Sequence, residues 1–141
     1  LQRYVMGSLF YSTEGDQWQS SDGWLTDQNE CDWYSSEDDG AVCDSTGRVT
    51  EFDLDSNKLG GSLPWIDMAI LSEQLIVADF FSNSISGSLP PFHFGLLSNL
   101  VVLDMQSNQL SGSLPEEVGQ LVDLAYMDFS SNFLTGKLPS S

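Results

Sequence analysis

The chain has 141 residues, enough for one domain, and its 40% apolar content with four Trp, four Tyr and eight Phe excludes wholesale disorder. Twenty-one Asp and Glu against four Lys and Arg give a formal net charge of -17, which argues against nucleic acid and bare anionic lipid as partners, because phosphate recognition needs Lys and Arg. Such a surface serves solubility, or attracts cationic groups: basic protein patches or divalent metals. No stretch reaches the ~18 apolar residues of a membrane span. Nor does a long apolar run follow Leu1-Gln2-Arg3-Tyr4, so an exported protein would appear here in processed form.

In chain order, Leu1, Val5 and Leu9 recur every fourth residue and predict one face of a helix, broadened by Tyr4 and Phe10 and ended by Ser12-Thr-Glu-Gly15. Trp18, Gly23-Trp24-Leu25 and Cys31-Asp-Trp33 follow. Cys31 and Cys43 read as one disulfide, closing a loop of eleven intervening residues and contributing about 3 kcal/mol, or as two free thiols. Between Trp33 and Cys43 lies an acidic stretch, Glu37-Asp38-Asp39-Gly40, expected to be exposed. With Asp44 it is a better calcium position than Asp53-x-Asp55-x-Asn57, where Lys58 and Pro64 break the EF-hand requirement. A solvated charge run is the simpler reading of it.

From residue 49 onward the chain repeats itself. Val49–Asn57, Leu75–Asn83, Leu100–Asn108 and Leu124–Asn132 align as nine-residue cores. Each continues to an apolar residue (Leu59, Ile85, Leu110, Leu134), a Gly (Gly61, Gly87, Gly112, Gly136) and a Leu-Pro pair ending at Pro64, Pro90, Pro115 and Pro139. A period of this length marks a solenoid. Alternation along a short strand points Phe52 and Leu54, Ala78 and Phe80, Leu103 and Met105, and Met127 and Phe129 inward. Asn57, Asn83, Asn108 and Asn132 fall at the turns, where a buried amide must be satisfied. Residues 1–48 lie outside the repeat and supply the cap that a solenoid end needs.

These motifs resemble the plant-type leucine-rich repeat. Leu110-Ser-Gly-Ser-Leu-Pro carries the subtype's tail, and Gly15-Asp-Gln-Trp18, Cys31-Asp-Trp33 and Cys43 fill the places of its N-terminal cap. The resemblance implies an α/β solenoid: a right-handed leucine-rich-repeat superhelix with a short parallel sheet on the concave face, an irregular or 3-10 convex side and an N-terminal helical cap. It implies a cap over 1–48 and four repeats over 49–141, starting near 49, 75, 100 and 124, without a closing C-terminal cap. It also implies a Cys31–Cys43 disulfide, an Asn ladder and an extracellular, secreted or cell-surface setting. Ending inside the fourth repeat leads us to expect a piece of a longer protein, or an open end that packs on another copy.

Outward strand positions are the expected ligand surface. The third column holds Glu51, Val77, Val102 and Tyr126, the fifth Asp53, Asp79, Asp104 and Asp128, and the seventh Asp55, Phe81, Gln106 and Ser130. An acidic column beside an apolar stripe favours a protein, peptide or glycan partner. No catalytic residues, cofactor or metal site are expected: His93, the single histidine, sits between Phe92 and Phe94 without a nominated partner. The leading expectation is therefore a recognition module, as in receptor ectodomains and secreted relatives of the plant family. The alternative is an acidic structural or adhesive component of a cell coat, crosslinked by calcium. An ice- or mineral-binding face built on Ser62, Ser88 and Ser113 is weakened by Lys137, which breaks the column.

Overall fold

The computed structural model of the chain describes residues 1–34 and 39–139. Helix α1 (Gln2–Ser12) opens the cap and buries Val5, Met6, Leu9 and Phe10. Leu1 and Tyr4 are exposed instead. The buried stripe therefore runs i, i+1, i+4, i+5, one position round from the Leu1–Val5–Leu9 row. Two one-turn 3-10 segments, Gly15–Gln17 and Glu30–Asp32, then carry the chain to β1 (Gly40–Cys43). Phe10, Trp18, Trp24 and Trp33 form a continuous aromatic run with successive ring centroids 5.2, 4.8 and 5.5 Å apart. Arg3 lies 5.1 Å over Trp33 and reaches Glu30 at 3.1 Å. Cys31 and Cys43 form a disulfide, which ties the second 3-10 turn to β1.

Strand β1 pairs antiparallel with β2 (Val49–Asp53), placing Gly40 opposite Asp53 and Val42 opposite Glu51. The cap thus extends the sheet itself. Beyond β2 the sheet is parallel, through β3 (Val77–Asp79), β5 (Val102–Asp104) and β7 (Tyr126–Asp128). Each coil crosses over through a short helix or 3-10 turn: α2 (Trp65–Met68) continuing into Ala69–Leu71, α3 (Pro91–Gly95), and Glu116–Gln120. On the way, β4 (Ser86–Gly87) and β6 (Gln109–Leu110) form a second, two-stranded parallel ribbon. The result is a leucine-rich-repeat solenoid.

Inward residues stack into one apolar core. Phe52, Leu54, Phe80, Leu103 and Met105 are fully buried and Ala78 nearly so. Met127 and Phe129 are not: Met127 is 39% exposed and Phe129 half-buried, because no described coil lies beyond them. They line an open cleft of about 350 Å3 with Leu114, Leu134 and Leu138.

The Asn ladder joins the coils. Asn108 is nearly buried; its Nδ2 donates to Phe80 O at 2.9 Å and Met105 O at 3.2 Å, and its Oδ1 accepts from Ile85 N at 3.0 Å. Asn83 and Asn132 repeat the pattern one coil before and after. Asn57 faces the cap, donating to Ser20 O at 2.9 Å and accepting from Ser20 N at 2.6 Å. In every repeat the preceding Ser (Ser56, Ser82, Ser107, Ser131) adopts a left-handed conformation, so the Asn side chain folds back over its own turn.

Candidate recognition face

The strands are shorter than nine residues and cover only part of each repeat core. Glu51, Val77, Val102 and Tyr126 are hydrogen-bonded neighbours across the sheet, as are Asp53, Asp79, Asp104 and Asp128. These two columns stand on the strands. The third column does not: Asp55, Phe81, Gln106 and Ser130 fall in the turns beyond the strand ends. This corrects the placement of Asp55 on a strand face, and the reason is the left-handed Ser56 that follows it.

The apolar stripe is narrower than alternation implies. Val77, Phe81 and Val102 are half-buried, and Tyr126 is the most exposed of the four at 47%. The largest exposed apolar side chains lie elsewhere. Tyr4, Tyr11, Ile66 and Phe92 sit on the helical side of the coils, and Phe133 and Leu138 at the open end. Ile66 and Phe92 occupy the irregular crossovers, where periodicity gives no signal, and Tyr4 and Tyr11 stand on the exposed side of α1.

The acidic column has two kinds of member. Asp79, Asp104 and Asp128 each accept, through Oδ1, the backbone N–H two residues on: Phe81 at 3.0 Å, Gln106 at 2.9 Å and Ser130 at 2.8 Å. They cap the turn that leaves the strand, as Asp side chains do in Asx turns. Asp53 breaks the pattern. Its Oδ1 is buried with no hydrogen-bond partner. Burial pushes the Asp53 carboxyl up to about 7, and the charges of Asp79, Asp55 and Asp39 add in the same direction. Burial also raises Asp79, against the pull of the Phe81 N–H, while the Ser130 hydroxyl and N–H hold Asp128 below the usual carboxylate range. The Tyr126 hydroxyl lies between the carboxylates of Asp104 at 3.5 Å and Asp128 at 3.4 Å, and the Asp104 charge raises its pKa.

Asp39, Asp53 and Asp55 each place one carboxylate oxygen within 4.8 Å of the others. Of the acidic cap loop, Glu37 and Asp38 lie outside the described residues. Asp44 is engaged locally, accepting from Thr46 N, Thr46 Oγ1 and Arg48 N. His93 packs edge-to-face on Phe92 at 5.3 Å. Ser62, Ser88 and Ser113 lie against the glycine of the next coil, where a Cβ on Gly87, Gly112 or Gly136 would approach their Cβ atoms to 3.3–3.4 Å.

A leucine-rich-repeat family model matches residues 99–121. No curated protein sequence matches the chain. Among solved structures, the Arabidopsis receptor kinase HAESA, in complex with the peptide hormone IDA and the co-receptor SERK1, is 30% identical with a TM-score of 0.82, covering 99% of this chain and 22% of that one. The BIR2 ectodomain from Arabidopsis thaliana is 22% identical with a TM-score of 0.67, covering 99% and 84%. A plant ice-binding protein is 21% identical with a TM-score of 0.64, covering 96% and 49%. The chain spans about a fifth of the length of the HAESA chain. A repeating coil with its buried Asn, the disulfide-closed cap and these likenesses make the chain a leucine-rich-repeat protein of the plant type, with the architecture of a binding module rather than of an enzyme.

Proposed function

We propose that the chain is an extracellular recognition module, part of a larger cell-surface or secreted protein, whose concave face binds a protein or peptide segment. The observation that carries this reading is the in-register pair of outward columns, one acidic and one largely apolar, on a four-stranded parallel sheet. Contact residues are Glu51, Asp53, Asp55, Val77, Asp79, Phe81, Val102, Asp104, Gln106, Tyr126, Asp128 and Ser130. The disulfide supports an oxidising compartment, and the HAESA complex is a receptor structure holding a peptide hormone.

The reading is tested by selecting random twelve-residue peptides displayed on phage against the oxidised chain. The expected binders lose at least tenfold affinity for the Phe81→Ala/Tyr126→Ala variant, and keep it for Ile66→Ala on the helical side. Binders indifferent to the first variant overturn the concave-face reading.

A second reading, an acidic adhesive component crosslinked by calcium, is motivated by the charge of -17 and by the close carboxylates of Asp39, Asp53 and Asp55. It predicts faster sedimentation in millimolar calcium than in chelator. An unchanged profile removes it.

A further inference from the structure

Resting on the concave-face reading above, we infer that the occupant of this face is an extended polypeptide segment carrying a Lys or Arg two or three residues from an apolar or aromatic side chain. The basic group faces Asp53, Asp55 and Asp79, and the apolar group faces Val102 and Tyr126.

The charge on this face has no internal counterpart. Its three columns hold six carboxylates and no basic residue. The chain's four basic residues are spent or remote. Arg3 pairs with Glu30, the one ion pair among the described residues. Arg48 donates to Glu73 O at 3.4 Å. Lys58 is exposed and makes no ion pair among the described residues, and Lys137 lines the cleft at the opposite end of the solenoid. A compensating cation must therefore come from outside.

The carboxylates are also arranged to receive one. In Asp79, Asp104 and Asp128 one oxygen is held by a backbone N–H, which fixes the side chain at no cost to the ligand; among the described residues the second oxygen takes no backbone bond, and in Asp104 and Asp128 it meets only the Tyr126 hydroxyl at 3.5 and 3.4 Å. The acid is densest at the cap end, where Glu51, Asp53 and Asp55 belong to the first coil and Asp79 to the second. The most exposed apolar contact, Tyr126, lies at the other end. Parallel strands are spaced about 4.8 Å, so Asp53 and Asp104 are roughly 10 Å apart, which about three residues of extended chain span. This spacing sets the distance between the basic and apolar side chains. Anionic glycans are repelled by the same carboxylates, and a neutral glycan makes no use of them.

The peptides selected on the oxidised 141-residue chain provide the test, with one of them, fluorescently labelled, as the titration probe. Binders are expected to be enriched in Lys or Arg at the stated spacing. Raising salt from about 50 to 500 mM should weaken them at least tenfold. Asp79→Asn and Asp104→Asn keep an oxygen to accept the Phe81 and Gln106 N–H groups; the first loses charge alone, and the second also loses the long Tyr126 hydroxyl contact, which Asp128 retains. Each should cost about fivefold in affinity with a circular dichroism melt no lower than that of the parent chain. Binders that lose affinity on Phe81→Ala/Tyr126→Ala yet lack basic residues, ignore salt or tolerate both Asn substitutions overturn this inference and leave the concave-face reading standing. Binders indifferent to Phe81→Ala/Tyr126→Ala, or no binders at all, overturn both.

Discussion

Asn108 shows how much one amide can hold in this fold. It bonds Phe80 O and Ile85 N of one coil and Met105 O of the next, and it is almost entirely buried. Asn108→Ala leaves the Ile85 N–H buried without its acceptor, at a cost of about 1–3 kcal/mol, while Phe80 O and Met105 O keep the Asn83 and Asn132 amides at 3.0 and 2.8 Å. We expect a loss of about 2 kcal/mol by urea denaturation. Asn132→Ala, in the partly exposed last coil, should lose about half that, since water can replace its bonds. Asp53 gives the opposite kind of residue effect, a carboxyl whose ionised form the fold resists. Its folded pKa of about 7 lies above the unfolded value near 3.8, so its contribution is complete below pH 4 and disappears as pH rises through 7. Asp79 is shifted the same way. Solvent screening reduces the effect to about 1 kcal/mol, so the melting temperature should be roughly 3 °C higher at pH 5 than at pH 8. Asp53→Asn should remove most of that difference by stabilising the protein at pH 8. A melt that is flat between these pH values would show that Asp53 ionises without penalty. The sequence made the Asp column visible, but not that three members are turn caps and one is not. That distinction depends on whether an N–H two residues on points back at the carboxylate, which the residue types alone do not encode.

At the scale of elements, the repeat was legible because one nine-residue pattern recurs four times, and each copy vouches for the others. The cap has no second copy. Its helix was legible from the spacing of Val5 and Leu9, although the buried face turned out to include Met6 and to omit Leu1 and Tyr4. Strand β1 was not legible: it is four residues long, and its pairing with β2 is fixed by the Cys31–Cys43 bond and by the close fit at Gly40 rather than by alternation. A Cβ on Gly40, whose φ is +89°, would meet the Tyr34 carbonyl. This element therefore depends on its covalent anchor. A Cys31→Ser/Cys43→Ser variant should lose about 3 kcal/mol, the entropy of the loop it releases. Its tryptophan emission should shift to the red as Trp33, now buried in the aromatic run, becomes wet. Unchanged stability with unchanged emission would mean that the aromatic run alone secures the cap.

The whole molecule behaves as a stack whose two ends differ. At one end the cap seals the first coil with β1, the aromatic run and the Ser20–Asn57 bonds. At the other, the amide equivalent to those of Leu59, Ile85 and Leu110, which each donate to the Asn of the following coil, is Leu134. It meets no such Asn among the described residues. Because each coil touches only its neighbours, stability in such a stack sums local terms and the uncovered end opens first. Native-state hydrogen exchange of the 141-residue chain should therefore grade along its length. The amides of Ala78 and Leu103 should exchange only through global unfolding. That of Leu134 should be at least a hundredfold less protected, with Tyr126 between them because its N–H is bonded to Val101 O. A dilution series separates the two ways this expectation could fail. If protection at Leu134 is high and falls on dilution, the apolar cleft lined by Leu114, Met127 and Leu138 is covered by a second copy. If it is high and independent of concentration, the fourth coil is stable without a neighbour, and the exposure of Met127 does not measure its stability.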